Sequence, residues 1–239
     1  MFGGKPIIGL VGGIGAGKST VSKLFGEAGC RVISSDELVA LAYTHPAVKR
    51  AVFDEFGDEA LDPRGNVNKA ALSRVVFRQP EKRQFLEQLL HPVVNKARVE
   101  LMAEAAEREE TKAFVWDSPL LMETRLDELC DAVVFVDAPL LDRQRRVLAR
   151  GWDAGELERR ENVQTPLDKK RSRADHVLVN ADDTPATGDV VSAILRTILE
   201  HPVPAPTCCG GGCGSGGCQS QAGPCGASAA GSSGCGCSA

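Results

Sequence analysis

Residues 12–19 read GGIGAGKS, and these residue types at this spacing can hold a polyphosphate. The glycines allow backbone angles that turn successive N–H groups inward onto anionic oxygens. Lys18 can reach the β- and γ-phosphates of a nucleotide, and the hydroxyl of Ser19 can ligate Mg²⁺. A ligand-free glycine turn would need neither of these two residues. The stretch therefore predicts a nucleoside triphosphate site that uses Mg²⁺ as its cofactor.

The predicted nucleotide contacts lie in this loop and in the first turn of the helix that follows it. The positive end of that helix dipole favours bound phosphate. The contacts are expected from Gly13, Ile14, Gly15, Ala16, Gly17, Lys18, Ser19 and Thr20, with Ser19 as the metal ligand. Asn180 ends the last apolar stretch of the chain, where its amide could contact the base or cap a loop.

Asp36 is the candidate group for activating an acceptor. It ends the short strand predicted at 30–36, which we expect to lie next to the strand that precedes the phosphate loop. Its carboxylate could accept the proton of an acceptor hydroxyl or orient that hydroxyl for in-line attack. The alternative role is that of N-cap for a helix beginning at Glu37, and both roles can coexist.

A basic helix over 140–150 is the candidate source of cations above the phosphates. It carries Arg143, Arg145, Arg146 and Arg150. Such a run is usually a solvated face, and we expect two or three of the four to be solvated. Charge on a transferred phosphoryl group nevertheless calls for arginines from a lid. Arg146, Arg150 and Arg160 are the predicted lid cations, and Trp152 is expected to pack within the lid.

Further candidates are assigned to the acceptor. Asp117 ends an apolar stretch and could hold Mg²⁺ through water, hydrogen-bond near the acceptor, or cap the next turn. His91 could reach acceptor phosphates or be structural, and Pro92 is expected to start a new helix. Lys69 and Arg74 are further candidates for acceptor-phosphate contacts.

Short apolar stretches alternating with helical patterns must position these groups. Strands are predicted at 5–12, 30–36, 113–119, 131–139 and 176–180, and helices at 17–29, 140–150, 187–200 and repeatedly within 37–112. This alternation predicts an α/β fold with a doubly wound, parallel, five-stranded sheet and a ligand site at the carboxyl ends of the strands. We expect 37–112 to form an inserted helical acceptor lobe and 143–165 a lid, within one domain over 1–200.

Composition excludes several functional classes. The net charge of −4 gives no general affinity for nucleic acid or anionic membranes. No apolar run approaches the roughly 18 residues of a membrane span, and the N-terminus lacks the pattern of a secretory signal. We therefore expect a cytoplasmic, monomeric protein with small-molecule partners, no nucleic acid and no membrane.

Residues 202–239 form a tail rich in Gly, Ser and Cys that contains no charged residue. We expect it to be a flexible appendage, because it has too few large apolar groups to build a core. Its seven cysteines include no paired C-x₂-C, so a defined zinc fold is not expected. Loose soft-metal binding, redox-active thiols and the absence of any function are all left open.

Other classes of phosphate-loop protein fit the chain less well. Neither Asn68-Lys69 nor Asn95-Lys96 has the Asp that guanine recognition requires, and no S-G-G-Q-like signature is present. The segments "GLVGGIGAGKSTV", "VISSDELV", "LLHPVV", "DSPLLMET", "ERRENVQ" and "KRSRADHVLVN" together resemble the dephospho-coenzyme A kinase family over residues 7 to about 200.

The resemblance implies a P-loop NTPase fold and transfer of the γ-phosphoryl group of ATP, as co-substrate, to the ribose 3′-hydroxyl of dephospho-CoA. This is the last step of coenzyme A biosynthesis. The resemblance also implies a catalytic role for Asp36. By residue type and position, Lys18, Arg146, Arg150 and Arg160 are the further catalytic candidates. The candidate acceptor contacts are Asp36, Lys69, His91 and Asp117. Ser34, Ala40 and Asn68-Lys69 depart from the family pattern, which bears on acceptor affinity and leaves the phosphate residues intact.

Two other functions fit the same motifs. A different nucleoside or nucleotide kinase is favoured if the helical lobe accepts a base. A nucleotide-dependent binding or metal-delivery module would use the loop as a switch and the cysteines as the carrier. Asp36 and the lid arginines favour transfer chemistry, since a switch needs neither.

Overall fold

The structure is a computed structural model that describes residues 1–153 and 155–200. All structural statements below concern these two ranges. The expectation of a flexible, cysteine-rich tail at 202–239 lies outside the described residues.

One parallel sheet forms the centre of the described chain. Its strands are β1 (Ile7–Gly12), β2 (Arg31–Ser34), β3 (Phe114–Asp117), β4 (Ala132–Asp137) and β5 (His176–Val179), in the order β2-β3-β1-β4-β5. The central strand β1 is buried along its whole length, as expected of a strand covered on both faces. All five predicted strands are therefore confirmed. The expectation that β2 lies next to β1 is wrong, because β3 lies between them and pairs with both.

Nine α-helices accompany the strands in the described ranges. They are α1 (Lys18–Glu27), α2 (Ser35–Ala42), α3 (Pro46–Phe56), α4 (Lys69–Arg78), α5 (Pro80–Ala106), α6 (Leu140–Leu148), α7 (Glu156–Glu161), α8 (Leu167–Ser172) and α9 (Gly188–Glu200), with short 3₁₀ turns at Asp58–Ala60 and Leu126–Leu129. Four of these helices, α2 to α5, lie between β2 and β3. None of the described helices has the length and apolar character needed to cross a membrane.

Helices cover both faces of the sheet. On one face Phe25 of α1 and Leu195 of α9 pack in the same buried cluster as Val115 of β3. On the other face Met102 of α5 belongs to a second cluster that includes Trp116 of β3. Two apolar layers on one sheet are the mark of a doubly wound fold, as predicted.

The prediction that Pro92 starts a new helix is wrong. Helix α5 runs without interruption from Pro80 to Ala106, and Pro92 lies inside it. Proline removes one N–H donor from the helix ladder, so the Gln88 carbonyl loses its usual partner. The long apolar face of α5, which includes Leu90, Val94 and Met102, packs into the core on both sides of the proline and holds the helix together.

The strands present polar residues where they end. Register pairs Ser34 of β2 with Asp117 of β3, and Leu10 of β1 pairs with the same aspartate from the other side. Because β1 continues to Gly12 and then into the glycine loop, the loop, Asp117 and the start of α2 all meet at one edge of the sheet. This edge is the site that doubly wound sheets use for ligands.

Candidate active site

The glycine loop joins the end of β1 at Gly12 to the start of α1 at Lys18. The Lys18 Nζ donates hydrogen bonds back to the carbonyls of Gly12, at 3.1 Å, and Gly13, at 3.3 Å. Among the described residues it forms no ion pair. Burial lowers the pKa of Lys18 to about 8, against a smaller opposing effect from the Asp117 carboxylate. An ammonium held in this state is stabilised by an incoming polyphosphate, so the loop fits a nucleotide.

Side chains from the far end of the chain support this loop from behind. Asn180 Nδ2 donates to the Ala16 carbonyl at 2.8 Å, and Asn180 Oδ1 accepts the Ala186 N–H. The Arg146 guanidinium donates to the carbonyls of Gly15 and Ala16, both at 3.2 Å, and is paired with Asp182. The carbonyls of Gly15 and Ala16 therefore point toward these donors.

A cavity of about 520 Å³ opens beside the loop at the carboxyl edge of the sheet. Ten of its lining residues are predicted site residues: Gly13, Ile14, Gly15, Gly17, Lys18, Ser19, Asp36, Asp117, Arg150 and Arg160. The structure thus brings the loop, both aspartates and two of the three predicted lid arginines to one cavity. A volume of this size is typical of a small-molecule site.

Seven candidate site residues do not line the cavity: Ala16, Thr20, Lys69, Arg74, His91, Arg146 and Asn180. Arg146 and Asn180 hold the loop from behind, and their direct contacts with phosphate and base stay predictions. Lys69 lies over the ring of Tyr43, with Nζ 5.8 Å from the ring centroid. His91 is exposed on α5. Its contact with acceptor phosphates also stays a prediction.

The first turn of α2 leaves the Asp36 carboxylate free of the capping role. The N-cap is Ser34, whose Oγ accepts the Glu37 N–H at 3.3 Å. The alternative interpretation of Asp36 as the N-cap is therefore wrong. It also follows that Ser34, one of the departures from the family pattern, has a local structural role, since serine is a favoured N-cap.

Asp117 is the second carboxylate of the cavity. Burial raises its pKa above the usual range, while the Lys18 ammonium and a hydrogen bond from Ser22 act in the opposite direction. The carboxylates of Asp36 and Glu37 add to the rise. Two acidic groups close enough to influence each other, beside the Ser19 hydroxyl, form a cluster of hard oxygen donors.

The segment between α6 and α8 supplies the cations on the opposite wall. The Arg160 guanidinium carbon lies 4.3 Å from the centroid of the Trp152 ring, and its Nε donates to Glu156 at 2.6 Å. Trp152 thus packs against Arg160 of the same segment, and the lid role of this segment stays a prediction. Among the described residues Arg150 forms no ion pair, so its charge is available to an anion.

The chain matches the family model for dephospho-CoA kinase over residues 6–185. A dephospho-CoA kinase from Leptospira interrogans is 36% identical over 197 residues, which cover 81% of this chain and 93% of that protein. One from Anaeromyxobacter dehalogenans is 39% identical over 195 residues, with coverages of 80% and 92%. The chain belongs to the dephospho-CoA kinase family.

Solved structures agree with the family assignment. The structure of TT1252 from Thermus thermophilus superposes with a TM-score of 0.69 at 34% identity, covering 82% of this chain and 97% of that one. The dephospho-CoA kinase from Campylobacter jejuni has the same fold, with a TM-score of 0.56 at 19% identity and coverages of 83% and 98%. The predicted P-loop NTPase fold and the family resemblance are both confirmed.

Sequence reasoning missed two charged pairs in this member of the dephospho-CoA kinase family. Lys170 Nζ lies 3.0 Å from Glu123, whose carboxylate also accepts the Thr165 N–H at 2.7 Å. Arg143 is paired with Glu161, and its side chain is only 7% exposed. Arg143 therefore does not belong to the solvated face expected of the basic helix. Neither pair has a sequence signal, because the partners are 47 and 18 residues apart and lie on different elements.

Proposed function

We propose that this kinase transfers the γ-phosphoryl group of ATP to the ribose 3′-hydroxyl of dephospho-CoA, giving CoA and ADP as the last step of coenzyme A biosynthesis. The observation that carries the proposal is that Asp36 and Lys18 line one cavity, together with Arg150 and Arg160. A hydroxyl acceptor placed beside Asp36 faces a polyphosphate held by Lys18. The cavity thus has a carboxylate for the acceptor hydroxyl and cations for the phosphates of the donor.

The chemistry follows from these positions. The acceptor oxygen forms a bond to the γ-phosphorus while the bond from that phosphorus to the β–γ bridging oxygen breaks, and ADP leaves. The hydroxyl proton passes to the Asp36 carboxylate, or Asp36 orients the hydroxyl for attack. Lys18, Arg150 and Arg160 offset the negative charge that the phosphoryl oxygens carry during transfer.

We infer that Mg²⁺ is the cofactor, held by Ser19 with Asp117 close by. Hydroxyl and carboxylate oxygens are the ligands that this cation prefers, and it commonly binds through few protein groups plus phosphates. The described residues contain no group of three or more His, Cys, Asp or Glu that could hold a metal by themselves. Held by Ser19, Mg²⁺ would neutralise part of the negative charge of the phosphates during transfer.

The division of the chain belongs to the same proposal. In this division residues 1–200 form the kinase domain, with the acceptor lobe at about 37–112 and the lid at about 143–165. The acceptor would lie against the helices that follow Asp36, with Lys69 and His91 as candidate contacts. We further propose that the enzyme acts as a cytoplasmic monomer on small molecules.

An acceptor panel tests the proposed function. Purified protein is incubated with Mg²⁺ and ATP, and with dephospho-CoA, nucleosides or nucleoside monophosphates, and both ADP and the phosphorylated product are measured. The proposal expects turnover with dephospho-CoA and a phosphate on its ribose 3′-oxygen. Turnover confined to a nucleoside would replace it with another kinase activity, and turnover with no acceptor would favour a nucleotide-dependent module.

The role of Asp36 is tested by replacing it with asparagine. Asp36→Asn removes the proton acceptor and keeps the shape, so we expect turnover to fall by about 10²-fold or more. Glu37→Gln is the matched control, because Glu37 is the neighbouring carboxylate on the same turn, is exposed and does not line the cavity. Equal turnover in both variants, with both folded, would remove Asp36 from the mechanism.

A further inference from the structure

The Arg143–Glu161 pair lies directly against the glycine loop. One Glu161 oxygen, Oε1, accepts hydrogen bonds from Arg143 Nη1 and from the Ile14 N–H, the latter at 3.2 Å. The same Arg143 Nη1 lies 3.4 Å from the Ile14 carbonyl oxygen. Both main-chain polar groups of one loop residue are therefore engaged by a single ion pair, which joins α6, α7 and the loop.

Gly13 lies directly against this ion pair. A Cβ atom at position 13 would lie 2.8 Å from Arg143 Nη1 and 3.2 Å from Glu161 Oε1, closer than side chains normally approach. The absence of a side chain at Gly13 thus makes room for the ion pair against the loop. The contact involves main-chain groups of the loop and the buried Arg143 side chain, so it does not depend on exposed side chains.

Glu161 follows Arg160 in the chain, and both belong to α7. With Glu161 fixed to the loop, the preceding residue is held at the wall of the cavity that Lys18 also lines. On the other side of α7 no second contact of this kind anchors Arg160, whose described partners are Glu156 and Trp152 of the same segment. Leu157 packs α7 into the protein and is only 4% exposed, and Glu161 supplies the polar contact that ties α7, and with it Arg160, to the phosphate loop.

We propose that Glu161, seated on Arg143 and Ile14, is a positioning residue that fixes the lid arginine Arg160 relative to the phosphate loop. Glu161 does not touch the reacting atoms. It sets the distance between the cation of the lid and the phosphates bound by the loop. The inference rests on the proposed kinase function for its kinetic consequences, and on the contacts alone for its structural ones.

The kinetic test is a double-mutant cycle between Arg160 and Glu161. Glu161→Ala should lower kcat by about 10²-fold, the order found for a misplaced catalytic group, with the KM for ATP changed by less than about threefold. In an Arg160→Ala background the same change should lower kcat by less than about threefold, because there is no longer a guanidinium to position. If kcat of the double variant falls by the product of the two single-variant factors, the two residues act independently and the proposal is overturned.

Two further variants keep the test informative if Glu161→Ala does not fold, since Arg143 would be left buried without its counter-charge. Glu161→Gln retains an oxygen for the Ile14 N–H and should lower kcat by a smaller factor. Glu158→Ala removes an exposed carboxylate from the same helix and should leave kcat unchanged. If Glu158→Ala and Glu161→Gln lower kcat by the same factor, the loss comes from the changed charge of α7, and the proposal is overturned.

A readout without turnover separates this inference from the proposed function. In a Trp116→Phe background the remaining fluorescence comes from Trp152, which stacks on Arg160. Glu161→Ala should shift this emission and Glu158→Ala should not, and an unchanged emission in Glu161→Ala would overturn the positioning role. If the unaltered protein does not phosphorylate dephospho-CoA while this shift is observed, the proposed function fails and the positioning contact stands.

Discussion

Asn180 donates a hydrogen bond from Nδ2 to the main-chain oxygen of Ala16, across 2.8 Å and 164 positions of sequence. The Asn180 side chain is buried, and its other end accepts the Ala186 N–H. The amide therefore fastens the segment after β5 to the phosphate loop. It is structural in the described state, whatever further contact it makes with a base.

Replacing this amide should loosen the loop. Asn180→Ala leaves the Ala186 N–H without its described acceptor and leaves Arg146 as the remaining side-chain donor to the Ala16 carbonyl. An unpaired buried group costs about 1–3 kcal/mol. We expect a lower free energy of unfolding in chemical denaturation and weaker ADP binding in calorimetry. Asn162→Ala, an exposed asparagine at the end of α7, is the control. Unchanged stability in Asn180→Ala would contradict the fastening role.

Gly17 should tolerate no side chain. Its φ of 89° disfavours other residues, and a Cβ would lie 2.1 Å from Asn180 Nδ2. Gly57 also has a positive φ, 76°, but a Cβ there meets nothing within 4 Å. Gly57→Ala thus carries only backbone strain, about 1–3 kcal/mol at its ψ of −169°, whereas Gly17→Ala adds a clash inside the loop. We expect calorimetry to show loss of ADP binding in Gly17→Ala alone, and equal binding in both variants would contradict the clash.

Nucleotide affinity should decrease as pH rises above about 8. The pKa of Lys18 is lowered to about 8 by burial, and bound phosphates favour its charged form, so binding takes up a proton above that pH. Calorimetry of ADP binding at pH 9, in two buffers of different ionisation enthalpy, should show this uptake. Lys18→Met should abolish both the affinity and the proton uptake. A pH-independent affinity in the unaltered protein between pH 7 and 9.5 would exclude the linkage.

The same shift has a consequence for stability. Between about pH 8 and 10.5 the folded protein has lost the Lys18 proton that the unfolded chain still holds. Since stability rises with pH wherever the unfolded state binds more protons, this group alone should raise the free energy of unfolding across that window. The difference between unaltered protein and Lys18→Met, measured by denaturation at pH 7.5 and 10, isolates it. A difference that stays constant would contradict the lowered pKa.

Lys170 and Glu123 should stabilise the end of the lid segment. Lys170 is 2% exposed and also donates to Gln164 at 3.0 Å, while Glu123 binds the Thr165 N–H. Lys170→Met leaves the carboxylate without its counter-charge, and loss of one partner of a buried pair costs about 3 kcal/mol or more. Thermal unfolding should show the loss, with exposed Lys169→Met as the control.

A second substitution distinguishes charge from packing at this pair. Glu123→Gln in the Lys170→Met background removes the unpaired charge and keeps an oxygen for Thr165, so more than half of the lost stability should return. No recovery would mean that packing, and not charge, holds the segment. Hydrogen bonds and the Lys170 ammonium lower the pKa of Glu123, so its stabilising effect should be lost as pH falls below its usual range of titration.

The fold was readable from sequence because buried parallel strands are short apolar runs. The apolar segment around Val133 and Val134, for example, predicts a buried strand, and in the structure it lies in β4. Pro92 misled because the local rule against proline in a helix was outweighed by packing along the rest of α5. Tertiary contacts of that kind have no local signature.

The motif residues of the candidate site were also predicted from the sequence, but the residues that support the phosphate loop were not. Lys18 and Asp36 belong to recognisable motifs, whereas the Arg143–Glu161 pair and the Asn180 contact join segments that are distant in sequence. Arg146 shows the limit most clearly. Its residue type and neighbourhood indicate a lid cation, whereas its hydrogen bonds to the carbonyls of Gly15 and Ala16 have no sequence signal. The type of a residue predicts its chemistry, and only the fold decides which side of a loop it serves.

The strand order also determines when, during synthesis, the phosphate loop can become rigid. β1 emerges early, yet both its neighbours arrive about a hundred residues later, since Gly9 pairs with Trp116 and with Val133. The residues that hydrogen-bond to the carbonyls of the loop are synthesised later still, and Asn180 is among the last of them. Closing such long-range contacts makes folding slow and concentrates it near the completion of the domain. A nascent or truncated chain should therefore bind nucleotide poorly, so that a ribosome-bound fragment sequesters no ATP before the enzyme is whole.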